Sequence, residues 1–289
     1  MKHRLLVLAA HLAISAGAPM PSHAADSAPP LAARLEALRP ELARSPFGRP
    51  LVLRANDSDT APQGDVYAII DRPIGAVSAA LQTPAHWCEV LMLQTNVKRC
   101  AAGQGANGST LEVGIARRYT DPVDSAQSIT FDWQVRDARP EHLSVALSAP
   151  QGPLGTHNYR LRFEAVPAGE GRSFVHLSYA YETAATARWA TNVYLATSGR
   201  DKVGFTVTGR DEQGRPRYGG GMQGVAERNT MRYFLAIESQ VDSLALPPAE
   251  RAERRWRSFH AALERYPAQL HETGLQEYLA LKRREAGAS

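Results

Sequence analysis

Apolar and polar residues alternate along the middle of the chain, from about residue 95 to about residue 182. A period of two is typical of β-strands that bury one face and leave the other in water. The connecting segments contain turn sequences such as Asn107-Gly108 and Gly169-Glu170-Gly171, which favour hairpins and therefore an antiparallel sheet. The predicted strands lie near residues 95–100, 110–119, 127–136, 142–149, 156–166 and 173–182.

The alternation also assigns the side chains of each strand to a face. Apolar side chains share one face, while charged residues such as Arg160, Arg162 and Glu164 occupy the other. A one-sided antiparallel sheet needs helices over its apolar face. Large aromatic side chains on that face are candidates for the wall of an apolar pocket, and the alternative is that they form ordinary core. The candidates are Phe131, Trp133, Tyr159, Tyr179 and Tyr181.

Helical periodicity appears on both sides of the predicted sheet. A short strand at residues 51–53 and a β-type run at residues 66–70 precede the first sheet-covering helices. Pro73 and Pro84 each favour a helix start, because proline is well tolerated in the first turn. The predicted helices cover residues 31–44, 74–81, about 222–244 and 249–286, with a further short helix after Pro84 and a break near Pro267.

Residues 188–221 form a segment of mixed character before the long helix. Residues 189–196 are predicted to be helical. The two runs at 203–208 and 213–218 flank a turn sequence and predict a Gly-rich hairpin. If the sheet and the long helix enclose a cavity, this hairpin is expected to act as its gate.

The first 24 residues have the pattern of a secretory signal peptide. Lys2 and Arg4 form a basic start, an apolar stretch follows, and Ser22-His23-Ala24 supplies the small-x-small ending that signal peptidase recognises. The apolar stretch is too short for a permanent membrane anchor. We therefore expect cleavage near Ala24 and a periplasmic or secreted mature protein.

The chain contains two cysteines, Cys88 and Cys100. An even number of cysteines in an exported chain favours a disulfide bond, which here would close a loop of about 13 residues. The alternative is a pair of buried free thiols. The two residues lack the spacing of a metal site, so no metal is expected.

Composition excludes several classes of protein. Apolar residues make up 44% and charged residues 21% of the chain, as in ordinary globular domains. The 33 basic residues against 29 acidic ones leave a small surplus, which does not favour a nucleic-acid partner. The sequence Gly103-Gln104-Gly105-Ala106-Asn107-Gly108 has the glycine spacing of a dinucleotide site, but it leads into a strand. It is therefore interpreted as a hairpin turn, and no cofactor is expected.

The order of elements resembles the START-like helix-grip superfamily, which includes the polyketide cyclase and Bet v 1-type proteins. The resemblance covers roughly residues 64–244, and the rest divides into a signal peptide (1–24), an N-terminal segment (25–63) and a C-terminal extension (245–289). It implies an α+β fold in which a sheet of about six to seven antiparallel strands wraps around a long C-terminal helix. It also implies a cavity that holds lipids or other apolar molecules. The stretches that carry it are 64–68, 84–88, 152–157, 199–205 and 227–233.

Four polar residues are candidates for the polar end of such a cavity. Arg117 and His157 lie in phase with the apolar face of their strands and could orient a carboxylate or a hydroxyl group. The alternative places both at the rim of the sheet, bonded to loops or to acidic residues. Asn229 and Arg232 on the long helix could face the cavity, could clamp the 188–221 insertion or could lie on a solvated face.

These patterns favour an exported protein that binds a hydrophobic small molecule or lipid. A cyclase- or hydrolase-like enzyme in which His157 and Tyr159 supply an acid and a base is the second hypothesis, although the sequence lacks GxSxG and HExxH motifs. An interaction protein with a filled cavity is the third. Membrane contact through the arginines near Trp256 is the less favoured role of the C-terminal extension, which is expected to pack on the protein.

Overall fold

The structure is a computed structural model that describes residues 30–106, 108–184 and 202–287. The predicted signal peptide at residues 1–24 and the predicted helix at residues 189–196 lie outside these residues.

The core of the molecule is one eight-stranded sheet in the order β1-β2-β8-β7-β6-β5-β4-β3, with every neighbouring pair antiparallel. All six strands predicted from the alternation are present. The sheet has more strands than the six to seven predicted, because both N-terminal runs join it at one edge. The strands are β1 (Leu51–Ala55), β2 (Gln63–Ile70), β3 (Val97–Gly105), β4 (Gly108–Ile115), β5 (Gln127–Arg139), β6 (His142–Gln151), β7 (Thr156–Pro167) and β8 (Ser173–Thr183). A separate hairpin is formed by β9 (Val207–Arg210) and β10 (Pro216–Tyr218).

Helices cover both faces of the sheet. The longest helix of the described residues, α4 (Gly221–Ser243), buries residues such as Met231, Phe234 and Leu235 against the concave face. This helix approaches β2 closely at Gly64. A Cβ atom at this position would lie 2.2 Å from the hydroxyl oxygen of Thr230, which is too close for a larger residue. The helices are α1 (Leu31–Ala43), α2 (Ile74–Leu81), α3 (Pro84–Leu91), α4 (Gly221–Ser243), α5 (Pro248–Leu263), α6 (Pro267–Leu270) and α7 (Leu275–Gly287). This arrangement confirms the predicted α+β helix-grip fold class.

The convex face is also partly covered. The apolar stripe of α1 packs on side chains that point away from the main core, among them Val52, Tyr67 and Phe174. The helix buries its leucines in this second cluster because an amphipathic helix of this length is marginal without a packing partner. The leucines are Leu31, Leu35, Leu38 and Leu42.

The C-terminal helices pack on the domain through buried charges as well as apolar contacts. Glu285 on α7 accepts hydrogen bonds from the ammonium groups of Lys98 (2.9 Å) and Lys282 (2.8 Å), and all three side chains are almost fully buried. The hydroxyl of Tyr278 donates to the backbone carbonyl of Leu93. Buried ions need such partners, since an unpaired buried charge is strongly destabilising. Within the described ranges no helix has the length and apolar character needed to cross a bilayer.

The predicted disulfide bond is confirmed. Cys88 in the last turn of α3 and Cys100 on β3 are bonded, with their Cα atoms 5.3 Å apart. The bond joins a helix that covers the concave face to a strand at the edge of the sheet. It therefore holds α3 against the edge strand β3, next to the segment that connects the two elements.

Candidate ligand-binding cavity

A cavity of about 710 Å³ lies between the concave face of the sheet and α4. It occupies the end of the sheet where the strands approach the N-terminal half of α4, and the segment between α3 and β3 forms its rim. Seven of the nine residues predicted as ligand-binding line it: Arg117, Phe131, Tyr159, Tyr179, Tyr181, Asn229 and Arg232.

Aromatic side chains form one continuous wall of this cavity. Phe131 meets Tyr159 edge to face at 6.0 Å between ring centroids, and Tyr159 stacks on Tyr181 at 5.4 Å. Tyr179 contacts Tyr181 at 5.8 Å and Tyr233 at 4.9 Å. The wall therefore runs from β5 across β7 and β8 to α4. It offers ring faces and edges to an apolar ligand.

Tyr233 was missed by the sequence analysis. It lies one helical turn after Asn229 on α4, and both line the cavity. Residues four apart share a helix face. That spacing could have predicted Tyr233 once Asn229 was a candidate.

The tyrosine hydroxyls keep their protons at neutral pH. Burial raises the pKa of Tyr159, raises that of Tyr181 to about 12, and raises that of Tyr179 well above its ordinary value. The hydroxyl of Tyr159 donates to Thr156 Oγ1 at 2.7 Å. The wall therefore carries neutral hydroxyl groups that donate and accept hydrogen bonds.

Arg232 lines the cavity and also ties α4 to the C-terminal segment. Its guanidinium lies 2.9 Å from a carboxylate oxygen of Glu272 and donates to the backbone carbonyl of Leu270. The other oxygen of Glu272 accepts a hydrogen bond from Thr95. Arg232 therefore lines the cavity and also clamps the C-terminal segment, while residues 188–201 of the insertion lie outside the described residues.

Arg117 lies at the exposed end of the cavity. The alternative partner Asp121 pairs instead with Arg118, at 3.1 Å between Nε and Oδ1. No ion pair involves Arg117 in the part of the chain that the structure describes. Its cationic head is therefore available at the mouth of the cavity.

His157 does not lie at the cavity. The pairing of β7 with β8 shifts register between His157 and Arg160, and Asn158 has a positive φ of 50°. This bulge adds one residue to β7, so His157 turns to the face of Glu182, with 3.5 Å between His157 Nε2 and a Glu182 oxygen. Tyr159 stays on the concave face. The predicted acid–base pair of His157 and Tyr159 is therefore separated by the sheet.

Trp133 is a core residue rather than part of the cavity lining. It lies on the concave face two residues beyond Phe131, directly opposite Leu147 on β6, and belongs to the main apolar cluster. Its indole nitrogen is buried and has no hydrogen-bond partner among the described residues. The alternation identified the face of Trp133 correctly, but it could not show how far along the strand the cavity extends.

The segment that leads into the β9–β10 hairpin is fixed to α4. The carboxylate of Glu227, which is 2% exposed, accepts the backbone N–H groups of Phe205 (2.5 Å) and Thr206 (3.1 Å). Arg228 donates to the backbone carbonyl of Lys202, a residue that also lines the cavity. The hairpin predicted as a gate is thus anchored to α4 at its base. From the described part of this region, Lys202 lines the cavity.

A groove of about 890 Å³ lies on the convex face beside α1. Charged and polar side chains line most of it, among them Arg136, Arg162, Asp65 and His176. The concave cavity has the aromatic wall that an apolar ligand needs, so we take that cavity as the candidate site. The glycine-rich sequence at 103–108 connects β3 to β4 as predicted, and no cluster of metal-ligating side chains occurs within the described ranges.

No protein-family model and no curated protein matches the chain. Among solved structures, an aromatase/cyclase from Streptomyces sp. R1128 is 11% identical to the chain, with a TM-score of 0.35, and the match covers 48% of this chain and 87% of that one. A conserved protein from Geobacillus kaustophilus is 10% identical, with a TM-score of 0.36, and the match covers 62% of this chain and 95% of that one. A START superfamily protein from Mycobacterium smegmatis is 13% identical, with a TM-score of 0.32, and the match covers 48% of this chain and 95% of that one. Similarity at this level concerns the fold alone. The order of the strands and the position of α4 on the concave face match the helix-grip arrangement that the sequence predicts.

Proposed function

We propose that the protein binds a hydrophobic small molecule or lipid in the cavity between the sheet and α4. The observation that carries this proposal is the aromatic wall around a space of about 710 Å³. Ligand pockets of roughly 300–1,000 Å³ are common for small molecules. Among the described residues, side chains leave this volume unfilled.

Binding would be capture without chemistry. Burial of apolar ligand surface contributes roughly 25 cal/mol per Å², and the neutral tyrosine hydroxyls and Asn229 orient any polar group. The enzyme hypothesis loses support, because His157 lies on the other face of the sheet from Tyr159.

A cavity-filling substitution tests the proposal. The neutral fluorescent dye Nile red is titrated into the wild-type protein and into the variant Asn229→Trp, whose added ring occupies the cavity. We expect saturable binding to the wild type and at least about tenfold weaker binding to the variant, equivalent to about 1.4 kcal/mol.

A matched control separates this effect from a general effect of tryptophan. Ala37 is exposed on α1, on the opposite face of the sheet, and Ala37→Trp should bind the dye like the wild type. Equal affinity of the wild type and both variants for Nile red would show that the dye does not bind in this cavity. Absence of dye binding to the wild type would contradict it.

We also propose that the protein is exported and that its first 24 residues are removed. Support comes from the basic start, the apolar stretch and the Ser22-His23-Ala24 ending, together with a disulfide bond of the kind that persists in oxidising compartments. Intact-mass measurement of protein from the periplasmic fraction tests this proposal. A mass that begins at Ala25 is expected, and retention of the uncleaved chain in the cytoplasm would contradict export.

A further inference from the structure

Cationic residues outnumber anionic ones in the lining of the cavity. Four side chains that are cationic at neutral pH line it, and a single carboxylate, that of Glu272, accompanies them among the described lining residues. The cations are Arg117, Arg118, Lys202 and Arg232. Such an excess of positive charge at a concave site favours an anion over a neutral or cationic group.

Ion pairs between described residues account for two of these cations. Arg232 pairs with Glu272 at 2.9 Å, and Arg118 pairs with Asp121 at 3.1 Å. Arg117 and Lys202 have no ion pair within the described ranges. Both are exposed.

Charge and apolar surface are separated along the cavity. The rings of Phe131, Tyr179 and Tyr181 are buried, whereas Arg117 and Lys202 are exposed. Burial raises the pKa of Tyr179, Tyr181 and Tyr233, so these cavity tyrosines carry no negative charge at neutral pH. A ligand that fits both ends has an apolar body and a negatively charged head.

We propose that the cavity is selective for anionic amphiphiles, whose carboxylate or phosphate group lies between Arg117 and Lys202 while the apolar part contacts the aromatic wall. This inference rests on the proposed function and specifies its ligand class. Each exposed charge pair contributes a modest free energy, so the two cations together should give a preference of about tenfold.

The test compares three ligands with the same chain and different heads. Dodecanoate, dodecyl phosphate and 1-dodecanol displace Nile red from the full protein, and their inhibition constants are measured. We expect at least one anion to bind about tenfold more tightly than the alcohol. The stronger of the two anions identifies the head group as carboxylate or phosphate.

A double variant assigns the preference to the two cations. Arg117→Gln with Lys202→Gln should abolish the preference, so that this variant binds the two anions and the alcohol with similar inhibition constants. Arg136→Gln with Arg162→Gln is the matched control, since it removes the same charge from the convex groove, and it should keep the preference. Higher salt should weaken the preference of the wild type.

The outcomes separate this inference from the proposed function. Equal binding of the alcohol and both anions would overturn the inference and leave the proposed function intact. A preference that persists in the Arg117/Lys202 double variant, or disappears in the control, would also overturn the inference. Failure of the dye and all three ligands to bind would overturn the proposed function and the inference with it.

Discussion

The protonation of His176 depends on two carboxylates that lie next to its ring. Its Nε2 atom lies 2.8 Å from a carboxylate oxygen of Asp65, and its Nδ1 atom lies 3.9 Å from one of Glu164. Its ring stacks on Tyr67 with 4.3 Å between centroids. Burial alone would lower the pKa of His176, but the two carboxylates outweigh burial and raise it.

This raised pKa predicts a pH-dependent stability. A raised pKa means that the folded state binds the proton more tightly, so the stabilisation is complete below the ordinary histidine value of about 6.5. It is lost as the pH rises through the higher pKa of the folded state. The excess stability of the wild type over His176→Gln should therefore shrink as the pH rises above about 6.5. Denaturant unfolding of both proteins measures it, and a constant or growing difference would contradict the assignment.

Phe131 and Trp133 form a matched pair on one face of β5. Both side chains belong to the main apolar cluster, but only Phe131 of the two also lines the cavity. Trp133→Ala should lower the free energy of unfolding by about 3–5 kcal/mol and change dye affinity little. Phe131→Ala should weaken dye binding relative to Trp133→Ala, as measured on samples shown to be folded. If Trp133→Ala bound the dye more weakly than Phe131→Ala, Trp133 would belong to the ligand-binding site and this assignment would be wrong.

At the scale of elements, periodicity predicted the strands and their faces well. Alternation reports which side of a strand is apolar, and this placed Tyr159, Tyr179 and Tyr181 on the concave face. Alternation fails where a strand gains a residue, as at Asn158, because one extra residue reverses the face of everything before it. That bulge is the reason why His157 was predicted on the wrong face. An asparagine in a strand, which tolerates a positive φ, was the available signal.

The disulfide between α3 and β3 carries a prediction about both elements. The cysteines are 12 positions apart, and closing a loop of about this size stabilises the folded state by about 3 kcal/mol in the chain-entropy model. The double variant Cys88→Ala and Cys100→Ala should lose free energy of unfolding of that order. Thiol titration of the unfolded, unreduced wild type should find no free thiols and serves as the control. A double variant as stable as the wild type would contradict this contribution.

At the scale of the whole molecule, sequence patterns predicted the layers better than the contacts between them. The apolar stripes of residues 31–44 and 249–286 showed that both terminal segments need partners, and the structure places α1 on the convex face and α5–α7 against α4 and β3. Lys282 and Glu285 lie three residues apart on one helix, but no local pattern predicts that Lys98 meets Glu285, since these two residues are 187 positions apart. The cavity itself was implied by the resemblance, while its lining depends on how these layers meet.

The central claim is that an apolar ligand binds on the concave face of the sheet. Photolabelling with a neutral twelve-carbon alcohol that carries an aliphatic diazirine, followed by peptide mapping, tests it most directly. We predict that light attaches the probe to peptides containing Phe131, Tyr159, Tyr181 or Tyr233, and that excess Nile red suppresses this labelling. Labelling confined to peptides of the convex groove beside α1, or unaffected by the dye, would contradict the account.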